Sequence, residues 1–597
     1  MLENEQHIPS LQCLLTEDAV GQLQRREGRM AQLGSEDGVL KLDWVDGVAR
    51  LLAHPEWLET VEAEAHAIWE QGIRHILWAG MGGSIITVRV LVEMGFGGGH
   101  DEQFITIYPL DSTDPAALNA IVRVLAHNKH LPVPTTSAPD TNYLHTLLQD
   151  VMMIGVSMGM TSEEPITHLE WFTALLQQAQ LQPSQHLLIM TLPNSYLDTF
   201  AMQYQVPTRP LQLDGGTGTG GRMSAPTTRV FLLPVALYLT RLTPTAGSLR
   251  NVLQQAWQYQ STTHPAESPF VQLAATLSDA SRDGACQLRL TLPEAWSPLV
   301  QWIEQLMEES LGKGGKGIVV FHEQALNTQA PNYRTDSALA VRVVPEQPEP
   351  THETNNFSLY QPYLANQGPQ EQLTALVTSF LGWQLTMALY GYLQDITFAG
   401  QPAVENYKTR ARALRRQDDP LQVLTGWQAE AQQDSLTLFA PDNLDTIQAP
   451  AALFASALTQ QAKRLSYLDC TFNGVASPPI QTLLNKHISL LGKQLLGIPV
   501  KIRQAPAAYH STEQSEMDGP PSFVSLRLLV RTHETSLLGT YSDTFLCAQA
   551  VSTWQAMVEQ GRRCYLLLVD GNDDEAVGSL SRFFEEVTQQ IQGDNIA

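Results

Sequence analysis

Residues 73–85 read IRHILWAGMGGSI, an apolar run that ends abruptly in Gly80, Gly82, Gly83 and Ser84. The pattern predicts a buried parallel strand followed by a glycine turn and a helix. The N–H groups of the turn and of the helix N-terminus would then face one point, which suits an anion such as a phosphate group. Glycine turns between strands and helices are also common in α/β proteins that bind nothing there, so both interpretations of this stretch are open.

Short apolar runs of the same kind recur along the chain and alternate with helical patterns. The further runs predicted as strands are FITIYPL (104–110), VMMIGVS (151–157), HLLIMTLP (186–193), GIVVF (317–321), ALAVRVV (338–344), FVSLRLLV (523–530) and CYLLLV (564–569). Runs of this length separated by helices are typical of parallel sheets that are covered on both faces. We therefore predict an α/β protein with two doubly wound, flavodoxin-like parallel-sheet domains and helical N-terminal and bridging segments.

The chain length of 597 residues exceeds what one hydrophobic core supports, so more than one domain is expected. We predict a helical N-terminal segment at 1–70, a first α/β domain at 71–245, a helical bridge at 246–298 and a second α/β domain at 299–597. Within the second domain, the apolar stretch 373–393 predicts a long buried helix.

Composition restricts the partners and the cellular compartment. A formal net charge of −25 disfavours nucleic acid and anionic membranes as partners. The five cysteines are scattered without a CxxC spacing, which fits reduced thiols in a cytosol and gives no structural zinc site. Residues 1–10 lack the pattern of a signal peptide, and no apolar run is long enough for a membrane span. We predict a cytoplasmic protein that binds neither nucleic acid nor membrane.

Five more segments follow the glycine turn in order: LDSTDPAAL (110–118), GGRMS (220–224), ESLGKGGKG (309–317), a stretch that ends in QPAVENYK (401–408), and YHSTEQSEMDGP (509–520). Together with residues 73–85 they resemble the glucose-6-phosphate isomerase family of SIS-domain sugar isomerases. The resemblance is to the isomerase half of the version that is fused to transaldolase in some bacteria. It covers the chain from about residue 40 onward.

The resemblance implies the interconversion of glucose 6-phosphate and fructose 6-phosphate through an enediolate. This chemistry needs a base that moves a proton between C1 and C2, a cation beside the enediolate oxygens and an acid for ring opening, but no metal and no organic cofactor. By resemblance, Glu309 would be the base, Arg222 would face the enediolate and Lys408 would assist at the ring oxygen. The family also implies a homodimer with a small sugar phosphate as ligand.

Each of these residues has a plainer interpretation. Glu309 follows an apolar helix face that would carry it inward and strengthen it as a base, but it could also be a solvated helix end, as Glu304 and Glu308 beside it are expected to be. Arg222 could be a surface arginine in a glycine-rich loop. Lys408 precedes several arginines and could belong to a solvated basic helix face.

The phosphate site is predicted between Gly82, Gly83 and Ser84 and a second loop at 157–162. That loop reads SMGMTS where the family has SKSGTT, so Met158 replaces a lysine. The hydroxyl groups of three residues would remain as ligands: Ser157, Thr161 and Ser162. Thr161 with Glu164 also fits a helix capping box, and the two roles are compatible.

The last motif departs furthest from the family. Glu516 aligns with the family's ring-opening histidine, and a glutamate at neutral pH is a poor acid unless it is buried. His510 lies in the same motif and is our candidate for the acid, although a loop histidine is more often not catalytic. Two functions therefore stay open: an active glucose-6-phosphate isomerase, or a sugar-phosphate-binding protein that has lost efficient catalysis and acts as a sensor or partner.

Overall fold

A computed structural model gives the structure of the chain and describes residues 8–99, 101–158, 164–242, 247–323, 334, 337–347, 356–365, 368–427, 430–441, 449–460, 462–531 and 535–594. It divides into two compact units. Unit 1 comprises Met1–Asp111, Pro139–Gln324 and Ala338–Gly400, and unit 2 comprises Ser112–Ala138, Ala325–Ser337 and Gln401–Ala597. The segment boundaries predicted at residues 70, 245 and 298 stay predictions, because compactness alone does not define an independently folding domain.

The first sheet of unit 1 has five parallel strands. Their spatial order is Thr106–Leu110, His75–Ala79, Val151–Ser157, Leu187–Thr191 and Thr208–Arg209. In chain order this is 2-1-3-4-5, the flavodoxin-like doubly wound arrangement. The order reverses between His75–Ala79 and Val151–Ser157, and open sheets of this type bind ligands at the carboxyl ends of the strands at such a reversal.

Helices surround this sheet: Pro55–Glu70, Gly83–Leu91 with its π-helical continuation Val92–Phe96, Thr141–Leu148, Glu164–Gln178, Pro183–His186, Tyr196–Tyr204 and Arg229–Leu242. Every residue of Val151–Ser157 is buried, as expected for a strand with helices on both faces of its sheet. The predicted helical N-terminal segment is observed as Pro9–Thr16, Ala19–Arg25, Gly28–Leu33, Gly47–Ala53 and Pro55–Glu70. A short hairpin, Ser35–Glu36 with Val39–Leu40, lies among them and was not predicted.

The second sheet of unit 1 has four parallel strands in the order Asn356–Tyr360, Ala338–Val344, Gln287–Thr291 and Val319–His322. Its helices are Ser248–Thr262, Pro269–Arg282, Leu299–Leu311 and Pro369–Gln394, and short 3-10 turns occur at Gly221–Met223, Pro265–Glu267 and Glu294–Trp296. The strand Gln287–Thr291 falls within the predicted helical bridge.

The long helix Pro369–Gln394 confirms the buried helix predicted at 373–393. Trp302 of the helix Leu299–Leu311 packs on its Phe380 side chain, with ring centroids 4.5 Å apart. The expectation that no apolar segment is long enough for a membrane span is wrong for Pro369–Gln394, which is long and apolar enough to cross a membrane, but the apolar stretch of this helix is entirely buried within the fold. A buried core helix meets the same criteria of length and composition as a membrane span, and the complete burial of this helix identifies it as a core helix.

Unit 2 contains one six-stranded sheet, in the order Glu430–Gln433, Leu436–Phe439, Cys564–Asp570, Phe523–Arg531, Tyr467–Asn473 and Val500–Ala505. The first two strands form an antiparallel hairpin at the edge, and the other four strands are parallel. Read from Val500–Ala505, the parallel strands follow the chain order 2-1-3-4, so this sheet is doubly wound as well.

The helices of unit 2 are Pro115–Asn128, Glu405–Leu414, Pro450–Thr459, Pro478–Ser489 with its π-helical continuation Leu490–Leu496, Glu513–Asp518, Thr544–Glu559 and Asp573–Asp594, and 3-10 turns occur at Pro402–Val404, Pro420–Leu424 and Ala507–His510. The predicted α/β class with doubly wound parallel sheets is confirmed. Two parallel strands of unit 2, Tyr467–Asn473 and Val500–Ala505, were missed by the sequence analysis.

Candidate active site

The glycine turn predicted at residues 80–84 lies where the strand order of the first sheet reverses. The strand His75–Ala79 ends before it, and the helix Gly83–Leu91 begins within it. Gly82 has a φ of 56°, in the left-handed region that glycine adopts without strain. Among the described residues, the N–H groups of Gly82 and Gly83 have no hydrogen-bond acceptor. Two backbone donors at a helix N-terminus are thus uncommitted to other described groups.

Gly83 also joins this turn to the GGRMS motif. A Cβ atom at Gly83 would lie 1.9 Å from the carbonyl oxygen of Gly221, so only glycine permits this approach of the two backbones. The Ser224 hydroxyl donates a hydrogen bond of 3.1 Å to the Gly83 carbonyl. Two motifs about 140 residues apart, which the sequence analysis treated separately, therefore form one structure.

Arg222 is buried in unit 1, with 6% of its surface exposed. Its Nε donates to the Ser310 hydroxyl at 2.7 Å, and its Nη2 donates to the carbonyl oxygens of Phe398 and Gly400 at 2.8 and 3.0 Å. Its Nη1 donates to Oε1 of Glu309 at 3.1 Å. The surface-arginine interpretation is wrong, since the side chain is enclosed. Four of its five N–H groups have acceptors among the described residues, and the fifth, on Nη1, has none there.

Glu309 lies near the end of the helix Leu299–Leu311 with 7% of its surface exposed. Its Oε1 accepts the hydrogen bond from Arg222, and its Oε2 accepts one of 2.9 Å from Nε2 of Gln305. The solvated-helix-end interpretation is therefore wrong for Glu309. It is also wrong for Glu308, which is buried and accepts a hydrogen bond of 2.7 Å from the backbone N–H of Val320.

Ser157 is buried at the carboxyl end of its strand, beside the strand that leads into the glycine turn. Ser84 is buried in the first turn of the helix Gly83–Leu91. The structure thus places both serines at the reversal of the same sheet. Thr161 and Ser162 lie outside the described residues, and the roles of all four as phosphate ligands stay predictions.

Lys408 and His510 belong to unit 2. Lys408 is half-buried on the helix Glu405–Leu414, and His510 is half-buried at the end of the turn Ala507–His510. The residues that precede them are in contact, since the Tyr407 hydroxyl donates to the carbonyl oxygen of Tyr509 at 3.3 Å. The structure thus brings the two segments together within unit 2. The catalytic roles of both residues stay predictions.

Glu516, at the position of the family's histidine, is part of a buried ion-pair network. Its carboxylate accepts hydrogen bonds from Arg503 and Arg527. Arg503 also donates to Asp469 at 2.6 Å, and Arg527 also donates to Glu513 at 3.1 Å. We call these five residues the unit 2 network.

The two glutamates of this network have opposite protonation preferences. Burial raises the pKa of Glu516, but Arg503 and Arg527 more than offset this effect, so its pKa lies well below the ordinary value. Burial raises the pKa of Glu513 above the ordinary value, and Arg527 offsets only part of that increase. Glu516 is therefore a carboxylate at neutral pH and cannot donate a proton for ring opening.

Comparison with known proteins supports the fold. No protein-family model matches the sequence, and no curated protein sequence matches it. The structure is similar to a hypothetical protein from Thermus thermophilus, with a TM-score of 0.50 and 19% identity over 68% of this chain and 96% of that one. It is also similar to a glucose-6-phosphate isomerase from Chlamydia trachomatis, with a TM-score of 0.52 and 13% identity over 70% of this chain and 89% of that one. The chain has the fold of glucose-6-phosphate isomerase.

At these identities the likeness shows the fold alone, and at that level the resemblance predicted from the motifs is confirmed. Within this fold, two side chains besides Ser310 contact the candidate site although the sequence analysis did not single them out. Gln305 lies one helical turn before Glu309 and binds its carboxylate. Lys313 binds the same turn, at 397–400, that accepts hydrogen bonds from Arg222. The spacing of four residues on an apolar helix face was a usable signal for Gln305.

Proposed function

We propose that this chain is an aldose–ketose isomerase that interconverts glucose 6-phosphate and fructose 6-phosphate through an enediolate. The observation that carries the proposal is the buried pair of Arg222 and Glu309, whose nitrogen and oxygen lie 3.1 Å apart next to the glycine turn. A buried carboxylate beside a buried guanidinium supplies a base and a cation at one point. Such a pair is what moving a proton next to a developing oxyanion requires.

Glu309 would move the proton between C2 and C1 of the open-chain sugar. Each of its carboxylate oxygens accepts one described hydrogen bond, and a carboxylate oxygen has two lone pairs. Both oxygens therefore keep one lone pair that a C–H proton can reach. The contacts with Arg222 and Gln305 fix the plane of the carboxylate, which favours a single direction of proton transfer.

Arg222 would stabilise the enediolate oxygens. Its charge is permanent, and its second Nη1 N–H lies on the same nitrogen that binds Glu309. When the carboxylate of Glu309 takes the proton, it loses its negative charge, and negative charge develops on the sugar oxygens. The guanidinium of Arg222 would stabilise this charge first on Glu309 and then on the sugar. An interaction of this type lowers the barrier rather than strengthening ground-state binding.

The phosphate group would bind at the reversal of the first sheet. The N–H groups of Gly82 and Gly83, the N-terminus of their helix and the hydroxyl groups of Ser84 and Ser157 support this site. Thr161 and Ser162 would add hydroxyl groups from the neighbouring loop. Replacing Ser84 with Asp should remove the stabilisation by a sugar phosphate through charge repulsion, while the melting temperature without ligand reports on the fold.

Ring opening would depend on His510 as the acid, with Lys408 at the ring oxygen. Glu516 is held as a carboxylate by two arginines, so it does not replace the family's histidine. We accordingly expect slow turnover of cyclic substrate compared with the open-chain form. We also propose that the protein is cytoplasmic and forms a homodimer.

The second candidate function is a sugar-phosphate-binding protein with weak catalysis. Two features favour this second function. Met158 stands where the family has a lysine, and the carboxylate of Glu516 is already paired with two arginines. Under this interpretation the phosphate site would be retained, and Arg222 with Glu309 would recognise a ligand without turning it over.

One experiment distinguishes the two functions. The full chain is purified from a host that lacks its own glucose-6-phosphate isomerase, and conversion of fructose 6-phosphate is followed in a coupled assay. Stabilisation by 6-phosphogluconate is measured in parallel by thermal shift. Turnover that falls by about 10²–10⁴ in Glu309→Gln, with ligand stabilisation kept, supports the isomerase. Stabilisation of the wild type without turnover supports the binding protein. If the wild type shows neither turnover nor stabilisation by the ligand, both functions are contradicted.

A further inference from the structure

The turn at 397–400 presents four consecutive backbone carbonyls to two cations of unit 1. Nζ of Lys313 donates to the carbonyl oxygens of Thr397, Ala399 and Gly400 at 2.6, 2.7 and 2.9 Å. Nη2 of Arg222 donates to Phe398 and Gly400 at 2.8 and 3.0 Å. The carbonyl oxygen of Gly400 is therefore shared by the lysine and the arginine.

Carbonyl oxygens that face one point repel each other, and positive charge between them offsets this repulsion. An ammonium group has three N–H donors, and Lys313 has three carbonyl oxygens within hydrogen-bond distance. Gly400 has a φ of 69°, so the turn ends in a backbone conformation that glycine alone adopts readily. The turn is thus shaped for the ammonium group.

The same turn determines where Arg222 lies. Both acceptors of its Nη2 are in the turn, and a guanidinium is planar, so a shift of those carbonyls rotates the whole group. Rotation would move Nη1, which binds Glu309 at 3.1 Å. The chain of contacts therefore runs from Lys313 through the turn and Arg222 to Glu309.

We infer that Lys313 is a positioning residue for the reaction, which holds the guanidinium of Arg222 in the orientation that faces Glu309 and the enediolate. This inference rests on the proposed function. In this role Lys313 acts through the turn at 397–400 and not through contact with the sugar.

Lys316 provides a matched control. It lies in the same glycine-rich loop, and its Nζ donates to the carbonyl oxygen of Gln394 at 3.0 Å, at the end of the long helix. It thus makes a lysine-to-carbonyl contact like that of Lys313, but with an acceptor that Arg222 does not share. Removing either lysine changes the charge of the loop equally.

The test compares Lys313→Met with Lys316→Met. We expect Lys313→Met to lower kcat for fructose 6-phosphate by about 10–100-fold with KM changed by less than about threefold, the size of effect that a misplaced catalytic group produces. Lys316→Met should stay within about twofold of the wild type in both constants. Equal losses in the two variants, or a change in KM alone, would overturn the inference.

A double-mutant cycle separates positioning from a general structural effect. The C1 carboxylate of 6-phosphogluconate carries a negative charge that the sugar acquires only in the enediolate, so binding of this analogue reports on Arg222 where KM for the sugar does not. If Lys313 acts through Arg222, Lys313→Met should weaken 6-phosphogluconate binding in the wild type but have no further effect in Arg222→Met. Independent losses that multiply would contradict the inference. This binding measurement does not need turnover, so an inactive wild type would remove the proposed function and still test the role of Lys313.

Discussion

Two doubly wound sheets of this chain share a strand order but differ in the partners of the polar groups on and beside their strands. In unit 1, the first sheet ends at its reversal in a glycine turn whose N–H groups at Gly82 and Gly83 have no acceptor among the described residues. In unit 2, the corresponding first and third strands carry Asp469 and Arg527, which belong to the buried ion-pair network. The first region offers donors to a ligand, whereas the second has committed its charges to each other.

The two buried arginine–glutamate pairs differ in the same way. Arg222 binds one carboxylate, and its other acceptors are a hydroxyl group and backbone carbonyls. Arg527 binds two carboxyl groups, those of Glu513 and Glu516, and none of these three side chains is more than 1% exposed. Under the proposed function, ion pairs with the same chemistry would serve reactivity in unit 1 and stability in unit 2.

Arg527→Met should have the largest effect of the substitutions that test this comparison. It leaves the buried carboxylate of Glu516 and the buried carboxyl group of Glu513 without the cation that they share, and breaking a buried pair in this way costs about 3–5 kcal/mol. We expect urea denaturation of the full chain to show that loss in the transition that involves unit 2. An unfolding free energy within about 1 kcal/mol of the wild type would mean that the network does not stabilise unit 2.

Arg222→Met should act mainly on turnover. Removing one donor to a developing oxyanion typically lowers kcat by about 10²–10³-fold, and KM should change less than kcat. Steady-state kinetics with fructose 6-phosphate check this expectation. A change confined to KM would make Arg222 a binding residue, and the difference between the two units would then no longer concern catalysis.

Glu516→His restores the family's residue but should not restore ring opening. The new side chain would face Arg503 and Arg527, whose charges hold an imidazole in its neutral form. Each arginine keeps one acidic side chain as a hydrogen-bond acceptor, so the expected loss of unfolding free energy is about 1–3 kcal/mol, smaller than for Arg527→Met. Turnover of cyclic substrate is the readout, and a rate above that of the wild type would contradict the structural role of Glu516.

Most of the longer strands of unit 1 could be predicted because their residues are apolar, whereas Gln287–Thr291 and Asn356–Tyr360 of unit 1 and two parallel strands of unit 2 could not. Tyr467–Asn473 carries Asp469, Thr471 and Asn473 at alternate positions, and all three are buried. Val500–Ala505 carries Lys501 and Arg503. From their sequence such strands are expected to be exposed to solvent, because the burial of polar side chains is favourable only with hydrogen-bond or ion-pair partners from distant segments.

The candidate site was predictable only in part for a similar reason. The motifs identified Arg222 and Glu309 separately, but their contact spans 87 residues and depends on a glycine that lets two backbones meet. Lys313 lies within the motif at 309–317, but nothing in the sequence indicated its own contacts, because its partners are backbone carbonyls and any sequence supplies those. A lysine in a glycine-rich loop is usually solvated, and no side-chain pattern indicates otherwise.

The smallest expected effect concerns the pH dependence of the unit 2 network. The pKa of Glu513 is raised in the folded chain, so above its ordinary value of 4.5 the folded chain keeps a proton that the unfolded chain has lost. The free energy of unfolding should then fall as the pH rises from 4.5 towards the raised pKa of Glu513. Glu516 has the opposite sign, because its lowered pKa makes stability fall as the pH drops below 4.5.

Glu513→Gln should therefore flatten the pH dependence on the alkaline side, and Glu516→Gln should flatten it on the acid side. An amide oxygen still accepts the hydrogen bond from Arg527 but cannot titrate, so the slope changes even where the absolute stability also changes. For one group the slope change is at most about 1.4 kcal/mol per pH unit, and urea unfolding at several pH values measures it. If both variants kept the slopes of the wild type, the two glutamates would not differ in their protonation. The network would then be a set of equivalent ion pairs and not, as the opposite pKa shifts of the two glutamates imply, a protonated Glu513 beside an ionised Glu516.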